Sequence, residues 1–528
     1  MLNKNLYTSD QLNNMIKTGG IMARYKHTDV AAGQGVFLSV NLKNQLLPGT
    51  FEYMLNEIIG TKIDISGFDK NYKNDKTGAS AIPPCVLIKL IIYGYFKGQI
   101  SSRKIWKLSC ENIVAKALTG DMNIHWTTIA DFITLNGEKF KEVFIKVLMY
   151  YNELGLIGGE NYAVDGLRLP SNASMENSGT KEQLEKRVKV YRKMAEKHLE
   201  RHLKKDVQGE SEEEEQKRFE IRQKQLKQRI EKLDNFILGM KDKEGKGGQA
   251  LQSNVTDNES AMIHSSKGFI QGYIGIVVSD QKNQIIVSAE AVGTANEGEH
   301  LPSLLDSTAK NLESAGFEAE EGKHPTVSCD TNYFSEENLR ACEERGIEAI
   351  IPGAQEKKQV DAEGNIKYDA QDFSYNEEEK KYVCPEGKDL EYKGTSKLRG
   401  REYEIYQASL TDCKACPYFS RCTKSKKSQR EIRQGRKIII VKGKRLGEPV
   451  AERCKKMQEK MAIEEYQAKY AQRIQIVEPV FANIRNCKGL DRFTLRGKDK
   501  VNGQWHLYCI VHNLGKCLDG YNERKKSA

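Results

Sequence analysis

Apolar residues in the first third of the chain recur at helical spacing. In IPPCVLIKLIIYGYFKGQISSRKIW, Leu87, Leu90, Ile91 and Tyr95 fall three or four residues apart behind Pro83 and Pro84, which suit a first helical turn. Gly98 closes that helix, Ser101 or Ser102 caps a second with Ile105, Trp106 and Leu108, and beyond Gly120 either Thr127 or Thr128 caps a third. The pattern changes over 181–240. There KEQLEKRVKVYRKMAEKHLERHLKK and RFEIRQKQLKQRIEKLDNFILGM carry sparse apolar stripes (Leu184, Val188, Tyr191; then Leu226, Ile230, Leu233, Ile237) in a background of Glu, Lys, Arg and Gln. Such stripes predict a helical hairpin of two antiparallel arms, with GESEEEEQ (209–216) at its tip and GKGGQ (245–249) ending it.

Shorter, β-branched runs flank the hairpin. NYAVDGLRLP precedes it, and FIQGYIGIVVSD and NQIIVSAEAV follow as two strands joined by a polar turn near Gln281 to Asn283. Residues 299–316 read as a helix, HPTVSCD as a buried strand ending on Asp330, SEENLRACEERG as a helix capped by Ser335, and EAIIP as one more strand. With Asp165 placed at the end of the first strand, the order is β, helical insertion, β, β, α, β, α, β. That order predicts an α/β fold with a ribonuclease H-like mixed sheet. Parallel strands put their C-terminal ends at one sheet edge, so Asp165 and Asp330 are expected to meet there.

Composition narrows the class. The chain has 528 residues, 38% hydrophobic and 30% charged, enough for a packed core beneath an ionic surface. CVLIKLIIYGYF (85–96) is too short to span a bilayer, and the N-terminal twenty residues lack the pattern of a secretory signal, so a cytoplasmic, nucleoid-associated protein without membrane contact is expected. The net charge of +10 is unevenly spread. Residues 1–150 hold 18 Lys+Arg against 12 Asp+Glu, residues 423–528 hold 26 against 11, and the middle holds 39 against 50. Basic ends around an acidic centre suit a polyanion gripped at both ends, with carboxylates kept for metal; ordinary solvated lysine is the plain alternative. Lys97, Arg103, Lys104 and Lys107 among the short helices are compatible with a helix-turn-helix-like DNA-binding module.

Three acids carry the candidate chemistry: Asp165 in NYAVDGLRLP, Asp330 in PTVSCDTNYF and Glu478 in YAQRIQIVEPVFANIR. Two strand-end aspartates and a helical glutamate are what a fold needs to hold two divalent cations. Tyr470, Ile474, Glu478 and Arg485 fall roughly on one helical face, and Pro479 is expected to kink or restart that helix, which would put Glu478 at a helix start. Asp257 is a weaker additional acid, more simply a cap, and His300 either lies near the site or satisfies a loop. Cysteine supplies a second constellation. Cys384, Cys413, Cys416 and Cys422 are spaced C-x28-C-x2-C-x5-C, which meets the four-ligand requirement of structural Zn2+; a reduced, metal-free cluster or a redox pair is the alternative. Cys85, Cys110 and Cys509 stand in apolar stretches where buried thiols are usual. The following segment, TKSKKSQREIRQGRKIIIVKGKR, is the richest phosphate-contacting candidate, and no Walker-type loop supports nucleotide hydrolysis.

These residues resemble a known family, the DDE-type transposases of bacterial insertion sequences, in the subgroup with a cysteine-containing insertion before the catalytic glutamate. The resemblance runs from about Gly33 to Leu518. IPPCVLIKLIIYGYFKGQISSRKI is similar to the family's N-terminal domain, AVDGLRLPSNAS, SCDTNYFSEENL and YAQRIQIVEPVFANIR to its three catalytic blocks, and FTLRGKDKVNGQWHLYCIVHNLGK to its closing block. It implies that Asp165, Asp330 and Glu478 ligate two Mg2+ ions, with Mn2+ as substitute, and that Tyr470, Arg473 and Arg485 contact DNA. Arg485 stands where the related signature has lysine, and four residues rather than three separate Arg473 from Glu478.

The resemblance also implies a mechanism: water frees a 3′-hydroxyl at the element's end, and that hydroxyl attacks target DNA. The implied partners are terminal inverted repeats, target DNA and at least a second copy of the chain. The expected organisation is a helical DNA-binding domain (1–150), a first core strand with Asp165 (158–180), the hairpin insertion (181–248), the rest of the core with Asp330 (249–352), a Cys-rich insertion and basic segment (353–450), and the glutamate helix with the C-terminal segment (451–528). The rival readings are a metal-dependent nuclease on the same fold, a catalytically silent DNA-binding protein, and a coiled-coil scaffold.

Overall fold

The computed structural model describes residues 41–71, 80–208, 213–241, 243–245, 250–265, 268–319, 322–353, 367–369, 372–398, 401–422, 429, 431–443 and 451–527. Leu42–Ala528 form one compact unit. It opens with helices α1 (Phe51–Glu57), α2 (Pro84–Phe96), α3 (Ser102–Glu111), α4 (Ile113–Thr119), α5 (Trp126–Leu135) and α6 (Gly137–Glu153). Pro84 begins α2 where no intrahelical donor is lost, and Gly98, at φ +69°, turns the chain after it. Ser101 caps α3 by accepting from the Lys104 amide. The third cap is not a threonine: His125 Nδ1 accepts from the Thr127 N–H, and Thr127 and Thr128 lie inside α5. Imidazole offers the same kind of acceptor two residues before Thr127, and the helix starts directly after it.

The main sheet follows: β1 (Asn161–Pro170), β2 (Ala261–Ser265), β3 (Gly268–Asp280), β4 (Ile286–Val292), β5 (Thr326–Cys329) and β6 (Glu348–Ile350), with α9 (Leu301–Ser314) after β4 and α10 (Glu336–Glu344) between β5 and β6. The hairpin arms α7 (Lys181–Gln208) and α8 (Glu213–Gly239) interrupt it after β1, packed through Leu184, Val188 and Leu233. Of the expected tip, 209–212 lies outside the described residues and 213–216 belongs to α8; of 245–249, all but Gly245 lies outside them.

The sheet order is β6-β5-β1-β3-β2, with β4 also paired to β3. Strands β5 and β6 run parallel to β1, while β3 is antiparallel to β1 and β4 antiparallel to β3. Hence β1, β4 and β5 all point their C-terminal ends toward one edge. One expectation needs correction. Asp165 lies in the middle of β1, paired with Val277, because β1 continues to Pro170 along the longer β3.

Further on, five antiparallel strands form a second sheet: β7 (Ser374–Asn376), β8 (Lys381–Val383), β9 (Asp389–Leu398), β10 (Arg401–Ala408) and β11 (Lys437–Val441), around Phe373, Tyr382, Tyr406, Ile438 and Ile440. Residues 423–428, 430, 444 and 445 of the basic segment lie outside the described residues. The chain ends with α11 (Glu452–Met461), α12 (Glu464–Ala482) and α13 (Lys498–Ser527). Helix α12 continues through Pro479, so Glu478 sits in its last turns and not at a start. The expected break fails because the Gln475 carbonyl, which Pro479 leaves without its helical N–H, accepts instead from Gln284 Nε2 (2.9 Å).

Helix α13 locks the core. Asn513 donates to the Ile286 carbonyl and accepts from its N–H (both 2.9 Å), and Asn502 accepts from the Ala291 N–H (2.7 Å), so the open side of β4 is satisfied by side chains. Gly503 and Gly137 allow α13 and α6 to touch: a Cβ on Gly503 would stand 2.5 Å from the Gly137 Cα. The N-terminal helices, the main sheet, α12 and α13 thereby share one apolar core. Among the described residues no helix is long and apolar enough to cross a membrane.

Two histidines of α13 make this core sensitive to acid. His506 and His512 are buried, and burial pushes both imidazoles down to about 4. Between pH 6.5 and 4 the unfolded chain therefore binds more protons than the folded one, so stability falls as pH falls through that window, by about 3 kcal/mol per histidine at pH 4. Melting curves across this range are expected to show the loss, and His506→Asn with His512→Asn to flatten it; an unchanged slope in that double variant would exclude these groups as its cause.

Candidate active site

The parallel register pairs Val164 with Cys329, so the next residues, Asp165 and Asp330, emerge side by side from neighbouring strands. Asp165 is largely buried. Its Oδ1 accepts from the Gly166 N–H (2.8 Å) and its Oδ2 from Arg473 Nη2 on α12 (2.7 Å). Burial raises its pKa most, the Arg473 charge opposes this, and the nearby Asp330 and Glu478 charges raise it further. Glu478 thus stands within electrostatic reach of Asp165, carried there by α12, which packs across β1, β5 and β6. Asp330 caps a short turn, its Oδ1 accepting from the Asn332 N–H (2.8 Å).

Asp165 and Asp330 border a cleft of about 630 Å3, lined also by Arg168, Glu297, Asn332, Arg485 and Asp491, while Glu478 is exposed on α12. Tyr470 is half-buried beside Arg473, Asp165 and Asp330, whose charges act on its phenol after burial has raised it. Ile474, on the predicted face, is exposed. Arg473 points inward, 8% exposed, as the partner of Asp165. Arg485 is exposed at the cleft, in a π-helical turn after α12.

Two family models match the chain: Transposase domain (DUF772) over residues 40–135 and Transposase DDE domain over 383–518. The chain is a DDE-type transposase. The DDE match takes in the four clustered cysteines, Glu478 and most of α13, but begins after Asp165 and Asp330. The register of β1 and β5 is what joins these two aspartates to it. No curated protein matches the chain.

Two weaker candidates of this transposase fall outside the cleft. Asp257 is buried and accepts from the Tyr273 hydroxyl (2.8 Å) and the Gly497 N–H (3.2 Å), a structural junction between β3 and the start of α13. His300 shares a hydrogen bond with Thr294 Oγ1 (2.9 Å) and precedes α9, so it satisfies its loop.

Sequence reasoning missed Glu297, which is 3% exposed. It accepts from Arg168 Nη2 (2.9 Å) and Asn332 Nδ2 (3.1 Å). Burial raises its carboxyl to about 7, with Arg168 opposing and the Asp330 and Asp165 charges adding to the rise. The signal was its position five residues past β4, a strand whose C-terminal end shares the edge of Asp165 and Asp330.

The cysteines converge beside the second sheet. Cys384, Cys413, Cys416 and Cys422 line one cavity of about 570 Å3, and the sulfurs of Cys384 and Cys413 accept from the Lys388 and Arg436 N–H groups (3.2 and 3.3 Å). Burial pushes the Cys422 thiol up to about 11, with Arg436 opposing and the other three thiols adding. Cys509 is buried as expected; Cys110 is exposed, because it lies on the outer face of α3. Among the described residues no three His, Cys, Asp or Glu side chains stand in an arrangement that encloses a metal ion. At the acids, Arg473 supplies positive charge to Asp165.

Proposed function

We propose that this transposase binds the ends of its insertion sequence and performs metal-dependent DNA strand cleavage and transfer, with Asp165, Asp330 and Glu478 as the metal ligands on a ribonuclease H-like core. The observation that carries this reading is the parallel register that sets Asp165 beside Asp330, with the Glu478 charge felt at Asp165. The order β4-β3-β1-β5-β6, with the antiparallel strands on one side and the parallel ones on the other, supports the fold assignment.

The carboxylates suit divalent ions. Oxygen donors are the preferred ligands of Mg2+ and Mn2+, and a cation would relieve the repulsion from Asp330 and Glu478 that adds to the burial-driven rise at Asp165. Two bound Mg2+ ions would supply a nucleophile at neutral pH and stabilise charge at phosphorus. The chain's own residues do the rest. Arg473 holds Asp165 in place, Asn332 holds Asp330, and Arg168 and Arg485 put positive charge on the cleft where a DNA phosphate would lie. Tyr470 stands within reach of the Arg473, Asp330 and Asp165 charges. The α2–α5 region is the proposed module for element ends; there Arg103 stacks on Trp126 and Lys97 pairs with Glu52.

The cysteine cavity is proposed to hold structural Zn2+, supported by four thiols and two N–H donors to sulfur. A homodimer or higher assembly on two element ends is part of this reading.

Joining separates the transposase from a nuclease on the same core. Given duplex DNA that ends in the element's terminus with a free 3′-hydroxyl, plus target plasmid and Mg2+, the full chain is expected to yield covalently joined products. Cutting without joining would support the nuclease instead.

A further inference from the structure

Resting on that reading of the cleavage site, we propose that Glu297 is a positioning residue that sets the orientation of Asp330 through the side-chain amide of Asn332. The contacts form one chain. Glu297 Oε1 accepts from Arg168 Nη2 (2.9 Å) and from Asn332 Nδ2 (3.1 Å); the same Nδ2 donates to Asp330 Oδ2 (3.0 Å), and the Asn332 backbone N–H donates to Asp330 Oδ1 (2.8 Å).

An amide nitrogen has two hydrogens, and here one goes to each carboxylate. The alternative amide orientation would turn the Asn332 carbonyl oxygen toward Glu297 Oε1 and Asp330 Oδ2, both of which accept here, so Glu297 fixes which end of Asn332 faces Asp330. Both Asp330 oxygens are then held from one side, which leaves their remaining lone pairs to the cleft.

The position is costly for a residue that merely packs. Glu297 is 3% exposed, and its Oε2 has no hydrogen-bond partner. That oxygen also requires glycine next to Asp165, since a Cβ on Gly166 would stand 2.0 Å from it. A buried acid with one oxygen unsatisfied, reaching both sides of the aspartate pair, fits a role in holding the site's geometry.

Mn2+ binding to the full chain without DNA, followed by electron paramagnetic resonance of the free ion, tests this. Glu297→Ala and Asn332→Ala are each expected to weaken binding roughly tenfold, as losses of groups that orient a metal ligand do. The double variant should be no worse than either single one, and Glu297→Gln, which keeps an acceptor for Asn332, should stay close to wild type. Circular dichroism confirms that each protein is folded. Wild-type affinity in folded Glu297→Ala, or additive losses in the double variant, would overturn the proposal. If wild type binds no more Mn2+ than Asp330→Asn, the cleavage-site reading itself fails, an outcome distinct from failure of Glu297 alone.

Discussion

Asp330→Asn is expected to lower strand cleavage by roughly three orders of magnitude, about 4 kcal/mol of transition-state stabilisation, while end binding and melting temperature stay near wild type. Asp330 is partly exposed at a strand end, so exchanging one carboxylate oxygen for an amide disturbs little packing. What it removes is the charge that completes the acidic pair. Asp165→Asn is expected to abolish cleavage equally, with a further cost in stability. Arg473 is buried against Asp165, and a neutral partner leaves that guanidinium charge incompletely compensated, worth about 1–3 kcal/mol. Gel shifts with element-end DNA, nicking assays in Mg2+ and melting curves separate the three effects. Normal nicking by either variant would remove that aspartate from the site.

The largest effect on stability is expected at Trp505. Its indole is fully buried under the sheet, in edge contact with Phe493 at 6.3 Å, and its Nε1–H donates to the Ile276 carbonyl (3.1 Å). It lies against Gly275, where a Cβ would meet the ring at 2.9 Å, so the absence of a side chain there makes room for it. Trp505→Ala leaves both a large cavity and a disturbed carbonyl, a loss of about 4–5 kcal/mol. Because Ile276 pairs with Gly166, the damage reaches the strand that carries Asp165. Denaturant unfolding is expected to show the loss, with cleavage failing at temperatures where the remaining structure opens. A loss under 1 kcal/mol would mean that α13 does not hold this sheet in place.

Much of this arrangement was legible in the chain. The β-branched runs, the Ser335 cap and the helical stripes are local signals, and the structure follows them closely because hydrogen bonding and burial act on the same few residues. What misled was anything that depended on a neighbour. Asp165 looked like a strand end, yet β1 runs on to Pro170 because β3 offers it a longer partner. Pro479 looked like a break, yet the Gln475 carbonyl it leaves open is taken by Gln284, a residue of the β3–β4 turn. The ion pair of Arg473 with Asp165 likewise had no local signal, since it depends on where α12 packs. Glu297 had no motif of its own, and its importance comes from β4 ending at the same edge as β1 and β5.

Glu478, far from the aspartates in sequence, is proposed to complete one site with them. The direct measurement is Mg2+-dependent nicking of duplex DNA carrying the sequence that flanks the coding region, by the full chain and by Glu478→Gln. Wild type is expected to nick at the element boundary and to be stopped by chelator, and Glu478→Gln to bind the same DNA without nicking it. Equal nicking by the two proteins would remove Glu478 from the site.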